Sequence, residues 1–173
     1  MRKVTSSLSW LASIILMWSC AAQQLPPPES EYEKDAIKIN VKADPQLNLS
    51  DGKPHTLLVC VYQLNEPNAF NQLAGDEEGL YRLLECGLFD NSVAAAKKLI
   101  VQPGQDSTIN LDRSQGGRYV AVAAGYYLIE RERIVRLHEI PVVIEKKGLI
   151  RRTKTKKLDT LEIDLNLGPQ QIK

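Results

Sequence analysis

The sequence has few of the residues on which catalysis and metal binding depend. It contains only two histidines, His55 and His138, and neither stands in a metal-ligand or nucleophile motif. No glycine-rich loop follows a strand and opens a helix, so the sequence does not indicate a phosphate site. Its carboxylates are numerous but scattered. We therefore expect no enzyme activity, no metal, no cofactor and no small-molecule substrate.

The chain also lacks an excess of charge and a long apolar run. Its 22 basic and 21 acidic residues nearly balance, so nucleic acid is not an expected partner. The main apolar stretch starts at Leu8 and is followed by Gln23 and Gln24. A transmembrane helix needs ~20 apolar residues, and this stretch is shorter. A membrane-spanning helix is therefore not expected.

The stretch of residues 8–20 instead has the pattern of a signal peptide. Arg2 and Lys3 precede the apolar region, and small residues flank Cys20. This arrangement resembles the bacterial lipobox, in which the cysteine is acylated and the peptide is cut before it. We predict that residues 1–19 are a lipoprotein signal peptide and that Cys20 is the lipidation site. The alternative is that Cys20 is the last residue of an ordinary secretory peptide.

If the chain is exported to an oxidising compartment, its two remaining cysteines, Cys60 and Cys86, are able to form a disulfide. Such a pair can form a disulfide if the Cα atoms lie within about 7 Å of each other. Otherwise the two residues stay as separate buried thiols. The sequence leaves both alternatives open.

The exported chain is predicted to consist of a tether and one folded domain. Residues 20–34, which follow the signal peptide, contain three consecutive prolines and no apolar periodicity, as is typical of a flexible linker. Residues 35–173 alternate strand patterns with turn residues. Apolar side chains recur at every second position in 37–43 and 161–167, as in strands with one buried face. The predicted domain therefore begins and ends with a half-buried strand.

Between these two strands the pattern predicts further strands and one helical insertion. Segments 56–64 and 118–129 are apolar on both faces, as central strands are. Segment 67–88 has apolar residues at three- and four-residue spacing, which predicts two short helices. Other strands are expected at 92–101, 108–111 and 134–144. We predict an all-β fold, a two-layer antiparallel β-sandwich with a short helical insertion.

Two polar segments between strands are candidates for function. Residues 44–53 are rich in turn formers, and Leu47 and Leu49 are their only large apolar side chains. We expect these leucines to be exposed for a partner, unless they fold back over the sandwich. Residues 146–157 include seven basic side chains. This segment is either a cationic hairpin that touches anionic head groups or an acidic partner, or a solvated loop that protects a sheet edge.

Taken in order, these features resemble a known family. The chain has a lipobox, a first strand, the loop LNLSDGKP, the strand LLVCVYQL, a helical insertion with Phe70, a Pro-Gly turn and the strand VAVAAGYY. Together they resemble the outer-membrane lipoprotein of type VI secretion systems, the TssJ or VasD family. The resemblance covers most of the chain after Cys20.

The resemblance implies a fold, a location and a partner. The fold would be a transthyretin-like sandwich, held by acyl chains in outer-membrane lipid on the periplasmic face. The partner would be the periplasmic domain of the inner-membrane TssM subunit. The resemblance also implies that the loop between the first two strands contacts this partner, through Leu47, Asn48, Leu49, Ser50, Asp51, Gly52 and Lys53.

A second function remains open, that of a periplasmic small-ligand carrier lipoprotein with a transthyretin-like fold. A continuous apolar cavity lined by the strands at Tyr62 and Tyr126 would favour the carrier. A solid core beside an exposed loop with its leucines would favour the scaffold.

Overall fold

Nine strands and three short helices form the described part of the chain. The structure, a computed structural model, describes residue 28 and residues 30–147 and 153–173. The predicted signal peptide and Cys20 lie outside these residues. The strands are β1 Glu33–Ala43, β2 Leu57–Leu64, β3 Val93–Val101, β4 Asp106–Arg113, β5 Tyr119–Ala124, β6 Val135–Glu139, β7 Val142–Lys147, β8 Thr153–Leu158 and β9 Leu161–Leu167. The helices are α1 Asn68–Leu73, α2 Glu77–Leu83 and α3 Arg131–Ile134. None of the helices in the described ranges has the length and hydropathy of a membrane span.

The strands build two sheets and one separate hairpin. The first sheet has the order β4-β1-β9, and the second, antiparallel throughout, has the order β3-β2-β5-β6. Strands β7 and β8 form the hairpin. The predicted all-β sandwich is confirmed, with the difference that β9 runs parallel to β1 and pairs Leu161 with Ile37. This pair is parallel because the chain returns from the hairpin to the end of the sandwich at which β1 begins.

The core lies between the two sheets and continues beneath the helices. Ile37, Ile39 and Val41 of β1 are buried, while the residues between them are more exposed. Each such side chain stabilises the fold by about 1.5–3 kcal/mol when fully buried. Strand β2 lies between β3 and β5, and both of its faces are covered, as its apolar pattern predicts. On the helical side, the Tyr62 hydroxyl donates to the carbonyl of Leu83 at 2.5 Å.

The helices that cover β2 are held by a cap and a disulfide. The Asp76 side chain accepts a hydrogen bond of 2.8 Å from the N–H of Gly79 and so caps the start of α2. A Cβ atom at Gly79 would lie 2.0 Å from the carbonyl oxygen of Leu73, so α1 and α2 meet only because this residue is glycine. Cys86, just beyond α2, forms a disulfide with Cys60 of β2, with a Cα–Cα distance of 5.1 Å.

Two strands end earlier than their sequence patterns predict. The strand expected at 118–129 ends at Ala124, and the next one is divided at Ile140 and Pro141. Proline has no backbone N–H to give to a sheet. The N–H of Ile140 donates to the carbonyl of Arg118 at 2.9 Å, the last bond before the division. The chain therefore leaves the second sheet at Pro141 and starts the separate hairpin.

The N-terminal segment joins the sandwich earlier than predicted. The Ser30 hydroxyl donates to the carbonyl of Gly117 at 2.7 Å, and the Ser30 carbonyl accepts from the N–H of Gly116 at 2.8 Å. Strand β1 already begins at Glu33. These bonds correct the predicted tether, since residues 30–34 belong to the folded domain.

The strand registers define two ends of the sandwich. Ala43 pairs with Leu167, and Val59, near the start of β2, pairs with Ala124. The chain segments that follow or precede these residues therefore lie together at one end, which we call the loop end. It contains residues 44–56, 125–130 and 168–173. The opposite end, where residues 30–32 and the base of the β7–β8 hairpin lie, is called the N-terminal end.

Candidate partner-binding surface

The loop between β1 and β2 carries a tight two-residue turn at its tip. Ser50 and Lys53 exchange backbone hydrogen bonds of 3.0 and 2.9 Å. Between them, Asp51 has φ +49° and Gly52 has φ +70°. Asp-Gly suits this turn, because aspartate tolerates positive φ and glycine adopts it readily. The tip, which is exposed, is therefore built on a defined turn rather than on irregular chain.

The leucines of this loop differ in their environment. Leu47 is fully buried, while Leu49 is half-buried. The N–H of Leu47 donates to the carbonyl of Asp44, and the Leu47 carbonyl accepts from the N–H of His55, both at 2.9 Å. These bonds fold the loop back over the end of the sandwich. The prediction that Leu47 is exposed is therefore wrong.

Asn48 is also buried and cannot reach a partner directly. Its side-chain nitrogen donates to the carbonyl of Thr56 at 3.0 Å, which closes the loop on itself. Its side-chain oxygen accepts from the N–H of Tyr127 at 3.2 Å, which ties the loop to the segment after β5. The residue has φ +49°, a conformation that asparagine tolerates better than most residues. Asn48 thus positions the surface rather than forming it.

The start of the loop is fixed by Asp44 and by the C-terminal segment. The Asp44 side chain accepts a 2.9 Å bond from the N–H of Gln46 and lies 3.3 Å from the Lys173 ammonium. The Gln46 N–H, followed by Lys173, lowers the pKa of this carboxyl below its ordinary value. The N–H of Leu49 donates to the carbonyl of Pro169 at 2.7 Å. The loop is therefore held by hydrogen bonds on two sides.

Exposed apolar side chains lie next to this loop. Tyr127 is 62% exposed, and Leu128 is exposed as well. The Tyr127 ring meets the His55 ring edge to face, with centroids 5.3 Å apart. We define the loop-end surface as Leu49, residues 51–53, Tyr127 and Leu128.

Sequence reasoning missed Tyr127 and Leu128 because it placed both in a central strand. The strand stops at Ala124, and the chain turns at Gly125, whose N–H donates to the carbonyl of Leu58 at 2.8 Å. The glycine followed by two adjacent tyrosines was the available signal, since Tyr126 is buried and Tyr127 is exposed.

The side-chain arrangement of the described residues does not indicate a metal site. Within the described ranges, no group of three histidine, cysteine, aspartate or glutamate side chains lies close enough together to hold a metal ion. His55 packs against Tyr127 at the loop end, whereas His138 lies on β6. Burial, with a contribution from Arg136, lowers the pKa of His138.

The two tyrosines named for the carrier are both buried. Tyr62 packs against Phe70 and Phe89, with ring centroids 6.0 and 5.4 Å away. Burial raises the pKa of Tyr62 to about 12. A groove of about 190 Å³ lies elsewhere, and it is lined by Val61, Gln63, Ala95, Ala96, Lys97, Leu111 and Asp112. Neither tyrosine lines it, and pockets for drug-sized ligands usually start at about 300 Å³.

The fold and the loop-end surface define a β-sandwich that presents a hydrogen-bonded loop and exposed apolar side chains at one end. Residues 35–167 match the family of type VI secretion lipoproteins, which is described by the names VasD, EvfM and TssJ. The chain belongs to this family of type VI secretion lipoproteins. The resemblance predicted from the sequence is thereby confirmed.

Solved structures with the same fold come from the same secretion system. The lipoprotein TssJ1 of Pseudomonas aeruginosa is 21% identical, over 85% of this chain and 95% of that chain, with a TM-score of 0.57. Serratia marcescens Lip, a membrane-bound component of the system, is 18% identical over 79% and 94%, with a TM-score of 0.59. A structure described as the TssM C-terminal domain from EAEC is 16% identical over 79% and 94%, with a TM-score of 0.56. No curated protein matches the sequence.

Proposed function

We propose that the chain is an outer-membrane lipoprotein on the periplasmic face that binds the periplasmic domain of a TssM-like inner-membrane subunit. Acyl chains on Cys20 would hold it in the membrane, residues 20–29 would act as the tether, and the loop-end surface would bind the partner. The role is structural and not catalytic.

The observation that carries this proposal is the placement of the loop-end surface relative to the N-terminus. Ser30, where the chain enters the domain, is hydrogen-bonded to the β4–β5 turn. This turn lies at the end opposite to the β1–β2 loop. A lipoprotein that joins an outer-membrane anchor to an inner-membrane subunit needs its partner surface away from the anchor. The two-ended arrangement meets that requirement.

The chemistry of the loop-end surface suits a protein partner. Interfaces depend on a few anchoring side chains, often aromatic, surrounded by polar contacts that exclude water. Tyr127 and Leu128 supply the apolar anchors, and Asp51 and Lys53 supply charges beside them. Because Asn48 and the tip turn fix these groups beforehand, little ordering is needed on binding.

The comparisons also support a TssM-like partner. The fold is similar to structures described as the TssM C-terminal domain from EAEC and as a type VI membrane complex, the latter with a TM-score of 0.54. Membership of a lipoprotein family supports the anchor at Cys20.

Photo-crosslinking in cells that assemble the secretion system tests the interface. A crosslinking amino acid would replace Lys53 or Leu128 at the loop end, and Tyr32 at the N-terminal end as the control. We expect adducts with the TssM-like subunit from positions 53 and 128 and none from position 32. Adducts from position 32 alone would place the interface at the wrong end and refute the proposal.

Fractionation of the Cys20→Ser protein tests the anchor. We expect this variant to be lost from the outer membrane although its domain still folds, because no thioether can hold the acyl chains. Outer-membrane localisation of the variant equal to that of the wild type would refute lipidation at Cys20.

A further inference from the structure

The β7–β8 hairpin stands apart from both sheets and is not used by the proposed function. Its strands pair only with each other, from Val142 with Leu158 to Lys147 with Thr153. Leu158 is buried at its base, but Ile144, in the middle of β7, is 57% exposed. An isoleucine this exposed contributes little to the core of its own domain.

One face of this hairpin combines apolar and basic side chains. Alternation along antiparallel strands places Ile144 and Lys146 on the same face as Lys154 and Lys156, which lie directly opposite them. The pair Lys146–Lys154 sets two like charges across from each other, which is unfavourable in water. In the described part of the chain, neither of these lysines has an ion-pair partner. An anionic surface would remove this repulsion.

The base of the hairpin is bonded to the segment through which the chain enters the domain. The Arg113 guanidinium, only 2% exposed, pairs with Glu33 and donates to the carbonyls of Glu31 and Asp159 at 3.4 and 3.0 Å. The Lys157 ammonium lies 3.5 Å from Glu33. The hairpin and the N-terminal segment are therefore fixed relative to each other.

The length of the tether brings this end of the domain close to the membrane. On the proposed function, Cys20 carries the acyl chains, and Ser30 follows it ten positions later in the sequence. A fully extended chain spans at most about 3.3–3.6 Å per residue, so Ser30 lies within roughly 35 Å of the lipid anchor. A basic, partly apolar hairpin at this end can therefore reach the bilayer surface.

We propose that the β7–β8 hairpin is a second membrane contact, which binds anionic phospholipid head groups of the bilayer that holds the acyl chains. Lys146, Lys154 and Lys156 contact the phosphates, and Ile144 inserts at the boundary between head groups and acyl chains. A lipid chain combined with a basic patch holds a protein more stably than either does alone. This inference rests on the proposed anchor at Cys20.

Tryptophan fluorescence provides a direct test, because both tryptophans of the chain, Trp10 and Trp18, lie in the predicted signal peptide. Ile144→Trp would be the only tryptophan of the processed lipoprotein. Ile100→Trp is the matched control, since Ile100 is 54% exposed and lies on β3, whose adjoining Val101 pairs with Leu57 near the loop end.

Each acylated protein would be inserted into vesicles of phosphatidylcholine alone or of phosphatidylcholine with phosphatidylglycerol. We expect the emission of the position-144 variant to shift to shorter wavelength only in the anionic vesicles, and that of the position-100 variant to be the same in both. Identical emission at position 144 in the two kinds of vesicle would overturn the proposal.

Adding Lys154→Glu to the Ile144→Trp protein separates charge from folding. The new glutamate lies opposite Lys146, so it replaces a repulsive cross-strand pair with an attractive one and keeps the hairpin formed. We expect the emission shift to be lost while binding of the partner's periplasmic domain is retained. A persisting shift, or loss of partner binding instead, would show that the lysines do not serve a lipid surface. Failure of the anchor itself would appear separately, as protein that does not sediment with either kind of vesicle.

Discussion

The side-chain oxygen of Asn48 accepts a hydrogen bond from the backbone N–H of Tyr127 at 3.2 Å. The same side chain donates to the carbonyl of Thr56 at 3.0 Å. One buried residue thus fixes the β1–β2 loop relative to the exposed ring of Tyr127. The loop-end surface depends on this link, because the segments that form it lie outside the sheets.

Two substitutions of Asn48 separate its hydrogen bonds from its backbone conformation. Asn48→Gly keeps the positive φ but removes both bonds, and we expect it to lower the free energy of unfolding by about 1–2 kcal/mol. Asn48→Ala should cost roughly 1 kcal/mol more, since alanine is strained at positive φ. Urea unfolding measures both values. Equal stability of the two variants would contradict the predicted backbone strain of alanine at position 48. A glycine variant as stable as the wild type would show that the two hydrogen bonds of Asn48 do not stabilise the fold.

Leu47 and Leu49 are expected to respond differently to truncation. Leu47 is fully buried, so Leu47→Ala should lower the free energy of unfolding by about 3 kcal/mol through lost burial and the cavity left behind. Leu49→Ala, at a half-buried position, should cost about 1 kcal/mol or less. Thermal melts of the two proteins give the comparison. A larger loss for Leu49→Ala would show that the burial described for this loop is wrong.

The disulfide between Cys60 and Cys86 should contribute substantially to stability. The bonded residues are 26 positions apart, and closing a loop of that length stabilises a fold by about 3 kcal/mol on the chain-entropy model. We expect the double variant Cys60→Ala, Cys86→Ala to lose about this amount. The control is the reduced wild-type protein, which should melt close to the double variant. Mass spectrometry that detected two free thiols in exported protein would contradict the bond.

Gly79 should tolerate no side chain. Its Cβ would lie 2.0 Å from the carbonyl oxygen of Leu73, and a backbone atom can move only if α1 and α2 separate. We expect Gly79→Ala to destabilise the protein by about 2 kcal/mol or more, as overpacking does. Gly87→Ala is the matched control, because a Cβ there meets no atom within 4 Å. Chemical unfolding in which both variants matched the wild type would refute the close approach of the helices.

Much of the fold was predicted from two patterns. One is the alternation of apolar and polar residues, and the other is the presence of segments that are apolar on both faces. The half-buried strand β9, the central strand β2 and the two helices after it were predicted close to their observed bounds. The half-buried strand β1 was predicted as well, but it begins four residues before the alternating segment 37–43. These elements follow from local periodicity, because one face of each must be buried against the rest of the domain. The parallel pairing of β1 with β9 was not predicted. An alternating apolar pattern looks the same whether a strand runs parallel or antiparallel to its neighbour.

The site was harder to predict because its geometry depends on tertiary bonds. Nothing near Leu47 in the sequence reveals that its carbonyl accepts from the N–H of His55. Nor does it reveal that Leu49, in the same loop, donates to the carbonyl of Pro169. The exposure of Tyr127 depends on where β5 ends, and apolar residues continue past that point. The polar tip at residues 51–53 was recognisable, because Asp-Gly signals a tight turn directly.

The central claim is that the loop end, and not the N-terminal end, binds the TssM-like partner. Tyr127 at the loop end and Tyr32 at the N-terminal end are 62% and 60% exposed, so alanine removes a similar ring from each. Calorimetry would measure the affinity of both variants, each first shown to be folded, for the purified periplasmic domain of the partner.

We expect Tyr127→Ala to weaken binding by about 2 kcal/mol, the usual cost of losing a central aromatic anchor, and Tyr32→Ala to leave the affinity unchanged. Wild-type affinity for Tyr127→Ala, or a loss seen only for Tyr32→Ala, would contradict the account.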